Sequence, residues 1–266
     1  MANVNYKVTV KNQTRGEKHM DLALNVKSKN KTTIKKLSCD IDTSIFFTNE
    51  KHTLRGFYDF DSMYGMKTLP DKVKCKNTLT DASDMFREYE KLTAIDLSGL
   101  DTSNVTNMSY MFYYCSALTS LDVRTLNTSK VTNMGNMFQA CDNLAALDVS
   151  GFNTSNVTTM ALMFNMCGCL ESLDVSNFNT SKVTDMTGMF GYCTKLTEIN
   201  LDFDMTSCED ASDMFMSTEN IASGSIRFYN VPVSRWATRD AFLEHIGLKD
   251  ATIANKVIVE FVQVQS

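Results

Sequence analysis

From residue 85 onward the apolar positions return in one fixed register. The dipeptide Met-Phe recurs at 85, 111, 137, 163, 189 and 214, at intervals of 26, 26, 26, 26 and 25 residues. Leu92, Leu118, Leu144, Leu170 and Leu196 keep the same spacing, as do Ile95, Leu121, Leu147, Leu173 and Ile199. Val105, Val131, Val157 and Val183 follow, each with a Met three residues on. Written once, the unit reads L-x-x-L-D-V-S-x-F-N-T-S-K/N-V-T-x-M-x-x-M-F-x-x-C-x-x. In LESLDV, Leu173 and Val175 alternate with polar neighbours, which predicts a half-buried strand. N-T-S predicts a turn, because these side chains bond their own backbone. V-T-x-M predicts a second short extended piece, and M-F-x-x-C-x-x-L, apolar at i, i+1, i+4 and i+7, predicts one or two helical turns closing the coil.

A unit of 26 residues cannot bury its own Leu, Val, Met and Phe face, so about six coils must stack and share one core. Parallel strands in neighbouring coils lie ~4.8 Å apart, which makes the stack roughly 25 to 30 Å long. The 17 methionines need no cofactor to explain them, since Met fills irregular gaps in a core.

Units such as LTSLDVRTLNTSKVTNMGNMFQACDN (118–143) and LESLDVSNFNTSKVTDMTGMFGYCTK (170–195) resemble the bacterial-surface, BspA-like type of leucine-rich repeat, with its N-V-T-x-M-x-x-M-F and L-x-x-L-D-L-S signatures. The resemblance covers residues 77 to 216, about half the chain. It implies an α+β repeat protein, a right-handed leucine-rich-repeat solenoid of about six coils with non-repeat caps at both ends. It also implies adhesion, because such proteins are mostly exposed and bind ligands on host or neighbouring cells. The expected organisation is a β-rich cap or attachment domain at 1–76, the solenoid at 77–218 and a strand-helix-strand cap at 219–266. At the N-terminus VNYKVTVKN, MDLALNVKS and TSIFFTN read as strands; at the C-terminus SIRFYNVPV and KVIVEFVQV flank the helix-compatible RDAFLEHIGL.

Charge divides the chain. Residues 1–78 carry +7, residues 79–216 carry −12 and the remainder is neutral, for a net −5. So acidic a repeat region repels nucleic acid, and no nucleic-acid partner is expected. The basic run KSKNKTTIKK at 27–36 reads as a solvated face or as a contact for an acidic partner. No Sec-type leader is visible, and no segment reaches the roughly 18 apolar residues of a membrane span, so membrane insertion is not expected.

Two rows of residues invite a chemical reading. Cys115, Cys141, Cys167 and Cys193 fall at one point of four successive coils; their side chains point the same way, which favours free, buried thiols acting as small apolar fillers over disulfides. His19, His52 and His245 lie outside this row and no C-x-x-C pair occurs, so no metal or cofactor is expected. Asp96, Asp122, Asp148 and Asp174 form the second row, continued by Asn200. Each Asp either accepts backbone N–H bonds in the turn after its strand or helps collect a divalent cation such as calcium; Asn200 favours the turn, where a neutral acceptor serves equally well. G-x-S-x-G, H-E-x-x-H, Walker and G-x-G-x-x-G motifs are absent, so no enzyme activity is expected.

Binding is expected where solvent-facing positions vary between coils. On the strand side these include Thr119, Ser120, Glu171 and Glu198; on the other flank Tyr110, Tyr113, Tyr114 and Tyr192 supply aromatic groups of the kind enriched in interfaces. The expected function is a non-enzymatic, surface-exposed or extracellular module binding a protein or glycan on another cell or particle. The alternative is a bacteriophage virion protein, a decoration or fibre component that self-assembles or docks through a terminal domain.

Overall fold

The computed structural model describes residues 79–98, 100–218, 220–249 and 253–262, together with the backbone of four short N-terminal strands. Of these, β1 (Thr9–Asn12) pairs antiparallel with β2 (Met20–Ala23), and β3 (Ile41–Asp42) pairs parallel with β4 (Val73–Lys74). β1 and β2 fall in VNYKVTVKN and MDLALNVKS, whereas TSIFFTN and the basic run 27–36 lie outside the described residues.

Between residues 79 and 218 each coil repeats the path of the one before. The variable residue of V-T-x-M falls at Asp81, Asn107, Asn133, Thr159, Asp185 and Asp210, and each forms a parallel bridge with the next. The Thr106 N–H donates back to the Thr80 carbonyl at 2.9 Å, while the Met108 N–H donates forward to the Asn133 carbonyl at 2.9 Å. Threonine reinforces the row, as Thr132 Oγ1 donates to the Thr106 carbonyl at 3.1 Å and Thr158 Oγ1 to the Thr132 carbonyl at 3.1 Å. Inside the coil Val131, Met134, Met137, Phe138 and Leu144 are fully buried. Phe86, Phe112, Phe138, Phe164, Phe190 and Phe215 stack ring on ring at 5.3, 5.6, 5.7, 5.8 and 5.1 Å, a geometry that adds to the burial of each ring.

The turn after N-T-S is built from a buried residue. Thr102, Thr128, Thr154 and Thr180 are at most 2% exposed. The Thr128 hydroxyl donates to the Asn153 carbonyl at 3.1 Å and accepts the Asn153 N–H at 2.8 Å. Thr154 treats Asn179 in the same way, at 3.1 and 2.7 Å. One hydroxyl thus satisfies both main-chain groups of a residue in the next coil.

The expected helical turns are not there. Met108–Leu118 is a run of tight turns with i to i−3 bonds, such as Tyr113 N–H to the Tyr110 carbonyl at 3.1 Å and Cys115 N–H to the Phe112 carbonyl at 3.2 Å. Two residues per coil break any helix by adopting left-handed φ: Tyr110 and Tyr114 at 59° and 58°, Asn136 and Ala140 at 60° and 58°. The alternate N–H groups of Met108, Tyr110, Phe112 and Tyr114 donate instead to Asn133, Gly135, Met137 and Gln139 in the next coil, at 2.8 to 3.0 Å. A helix would turn those donors onto its own carbonyls and leave the neighbouring coil unbonded.

Strand pairing on the opposite side is sparser than expected. Among the described residues of the coils, regular strands form at β5 (Ser172–Asp174) and β6 (Glu198–Asp204), which pair in parallel. In earlier coils the equivalent residues are joined by isolated bonds, Thr119 N–H to the Thr93 carbonyl and Glu171 N–H to the Ala145 carbonyl, both 3.3 Å.

The C-terminal residues continue this sheet. β7 (Ile226–Pro232) occupies SIRFYNVPV, α1 (Arg239–His245) occupies RDAFLEHIGL, and β8 (Ile258–Val262) completes the parallel order β5-β6-β7-β8. Gly224, at φ 111°, leads into β7 where an added Cβ would lie 1.9 Å from the Ile199 carbonyl oxygen. Thr238 caps α1 by accepting the Ala241 N–H at 3.2 Å. The carbonyls of His245 and Ile246, at the end of α1, accept the N–H groups of Asp213 and Phe215 at 2.9 and 2.8 Å. Groups that a helix end and a last coil would each leave unpaired therefore satisfy one another.

Two substitutions test this core. Phe138→Ala opens a cavity in the middle of the phenylalanine column and is expected to cost about 3 to 5 kcal/mol in denaturant unfolding; a loss below about 1 kcal/mol would show that Phe138 is not core. Thr128→Val keeps the volume but strands both main-chain groups of Asn153, for an expected loss of about 1 to 3 kcal/mol, whereas Thr132→Val on the exposed row is expected to cost less.

Candidate functional site

The strand side carries a groove of about 900 Å³. Its floor is made of short side chains, Ala94, Thr119, Ser120, Ala145, Ala146 and Ser172, with Ile95, Leu121 and Leu147 between them. These positions face outward because strand side chains alternate, sending Leu121, Leu147 and Leu173 toward the core and their neighbours to solvent. Thr119, Ser120 and Glu198 line the groove; Glu171 is exposed but is not part of the lining.

Asp122, Asp148 and Asp174 run along the groove. Each turns one oxygen onto the turn that follows: Asp96 Oδ1 accepts the Ser98 N–H at 2.8 Å, Asp122 the Arg124 N–H at 3.1 Å, Asp148 the Ser150 N–H and Asp174 the Ser176 N–H, both at 3.0 Å. Asn200 departs from the row, since its Oδ1 accepts the Ser225 N–H, 25 residues on, at 2.9 Å. The Arg124 side chain, with Nε at 2.9 Å and Nη2 at 2.8 Å from its two oxygens, holds the Asp122 carboxyl down at about 2. Bonds from Ser150 hold Asp148 below the ordinary carboxylate range as well. Among the described residues, no group of three or more His, Cys, Asp or Glu side chains is placed to hold a metal ion.

The groove and the coils beneath it fall within a region matched by one family model. It is described as "Mycoplasma protein of unknown function, DUF285" and matches residues 59–122 and 115–229, more than half the chain. The chain belongs to the DUF285 family. No curated protein and no solved structure matches it. The two DUF285 matches overlap inside one coil, as a repeating unit permits.

Within this DUF285 chain the cysteine row is more than filler. Cys115, Cys141, Cys167 and Cys193 are free and buried, and their Sγ atoms lie 3.0, 3.3, 3.2 and 3.1 Å from the carbonyls of Phe86, Phe112, Phe138 and Phe164. In the last coil Thr218 takes the same place, its hydroxyl donating to the Phe190 carbonyl at 2.7 Å. The requirement at this position is therefore a small donor facing the previous coil. Burial pushes the Cys115 and Cys193 thiols up to about 12, so they stay protonated and able to donate. Cys169 is half-buried and stands apart, with Lys195 Nζ 3.4 Å from its sulfur.

The tyrosine flank divides in two. Tyr110 and Tyr113 are half-buried, their rings 5.6 Å apart, and the Arg87 guanidinium lies 5.2 and 4.9 Å from their centroids. Arg87 also pairs with Asp84 and Glu88 at 3.0 Å, which ties both rings to the preceding coil. Tyr114 and Tyr192 are exposed, at 40% and 41%. Both occupy the second left-handed position of their coil, as do Glu88, Ala140 and Met166. None of these residue types signals positive φ, which Gly or Asn normally would. At the first such position Gly188 and Asn136, and more weakly Asp84 and Asp213, are of types that visit this region. Tyr114→Ala is expected to change stability by less than about 0.5 kcal/mol. Tyr114→Gly, free of the Cβ conflict, is expected to exceed the Ala variant by up to about 1 kcal/mol; equal midpoints for the two would show that the left-handed conformation is not maintained in solution.

Proposed function

We propose that this DUF285 protein is a non-enzymatic recognition module of the BspA-like leucine-rich-repeat type, displayed at the cell surface or outside the cell, which binds a protein or glycan through the groove on its strand side. The observation that carries the reading is the groove itself. It is a long concavity floored largely by alanine, serine and threonine, above a core that buries the phenylalanine column. Stacked repeats fix such a surface without any need for loops or a cofactor. Membership in DUF285 is compatible with a BspA-like repeat protein. No helix among the described residues is long and apolar enough to cross a membrane.

The test is a screen of the full chain against glycan and protein arrays, beside Ala146→Trp, which fills the groove from an exposed position. A ligand retained by the chain and weakened about tenfold or more by Ala146→Trp, with unchanged thermal unfolding, is the expected result. A ligand held equally well by both proteins would overturn the groove as the binding surface.

A further inference from the structure

We propose that the groove takes an extended, lysine- or arginine-rich segment of a partner protein; this rests on the groove being the recognition surface. The argument is one of charge complementarity on a shaped sheet face. Acidic residues run the length of the strand side, and two arginines pair directly with some of them, Arg124 also lending its charge to the neighbouring Asp148. Arg124 occupies Asp122 at 2.8 Å, and Arg227 bridges Asp202 at 3.3 Å and Glu260 at 3.0 Å. Between them Asp148, Asp174 and Glu198 line the groove and make no ion pair among the described residues. Carboxylates on neighbouring coils, ~4.8 Å apart, repel one another unless a cation lies between them.

The geometry also selects the kind of cation. Asp148 and Asp174 each commit Oδ1 to a turn N–H at 3.0 Å, which leaves at most one oxygen apiece for a ligand. That is too few for calcium, which takes six to eight oxygens, but it suits an ammonium or guanidinium that needs one or two acceptors. The floor of Ala145, Ala146 and Leu147 offers apolar ground for the aliphatic stems of such side chains while their heads reach the carboxylates. Short floor residues leave room for a main chain, and an extended one follows the groove across the coils.

The probe is a fluorescein-labelled peptide of alternating lysine and serine, titrated with the full chain by fluorescence anisotropy. Binding is expected at about 50 mM salt and about tenfold weaker at about 300 mM. The variant Asp148→Asn/Asp174→Asn/Glu198→Gln, whose two asparagine amide oxygens still accept the turn bonds, is expected to lose about tenfold as well. Glu90→Gln/Glu209→Gln/Asp213→Asn removes the same charge from exposed sites elsewhere and is expected to bind normally. No binding by the native chain, or equal weakening in both triple variants, overturns the cationic partner. If an array ligand is lost with Ala146→Trp yet kept by the groove triple variant, the groove reading stands and the cationic partner falls. If Ala146→Trp leaves array binding intact, the groove reading itself falls.

Discussion

Alternate main-chain donors on the turn flank of each coil point along the stack instead of back into their own coil, and the left-handed residues make this direction possible. From Asp84 to Tyr192, each residue at the two positive-φ positions of a coil donates its N–H to a carbonyl of the next coil. An L-residue in that conformation costs about 1 to 2 kcal/mol, and one hydrogen bond returns a comparable amount. The balance is close for any one residue, so the left-handed turns persist because the whole coil is already held by its neighbours. The phenylalanine column, the buried threonines and the cysteine donors each meet the adjacent coil at an offset that recurs from coil to coil. Each contact presupposes the others, and a single coil has none of them.

The two sides of the stack are bonded very unequally. On the turn flank four alternate N–H groups per coil cross to the next; on the strand side of the earlier coils an isolated bond does so. The bonded flank sets the distance between coils, which leaves the strand side free to vary in sequence. Its outward positions run through Ala, Thr, Ser and Glu without disturbing the fold, and they line the groove.

The 26-residue period, the inward positions and the D-x-S turns were legible because hydrophobic pattern and turn chemistry report them directly. The turn flank was not. M-F-x-x-C-x-x-L has the apolar spacing of a helix, but its inward residues come from consecutive turns whose sign changes occur at Tyr, Glu, Leu and Met. Those residue types carry no mark of positive φ; the constraint comes from the neighbouring coil, which a pattern within one coil cannot express. Thr128 was read as a polar turn residue and is fully enclosed, because its hydroxyl serves a residue in the next coil. Cys141 was read as a filler, and Thr218 reveals the missing requirement by answering the same carbonyl with a hydroxyl. Glu171 shows the limit on the strand side: it varies and is exposed, yet stands outside the groove.

Because every coil presents the same frame of acceptors to the one that follows, a coil is interchangeable with its neighbours as a socket. Duplication or loss of a 26-residue stretch by unequal recombination leaves all remaining junctions as they were, and the 25-residue interval that ends at Met214-Phe215 keeps its cross-coil bonds as well. The length of the groove is in that sense heritable in whole steps of ~4.8 Å. A lineage can match the reach of its surface to a longer or shorter partner without inventing a new residue.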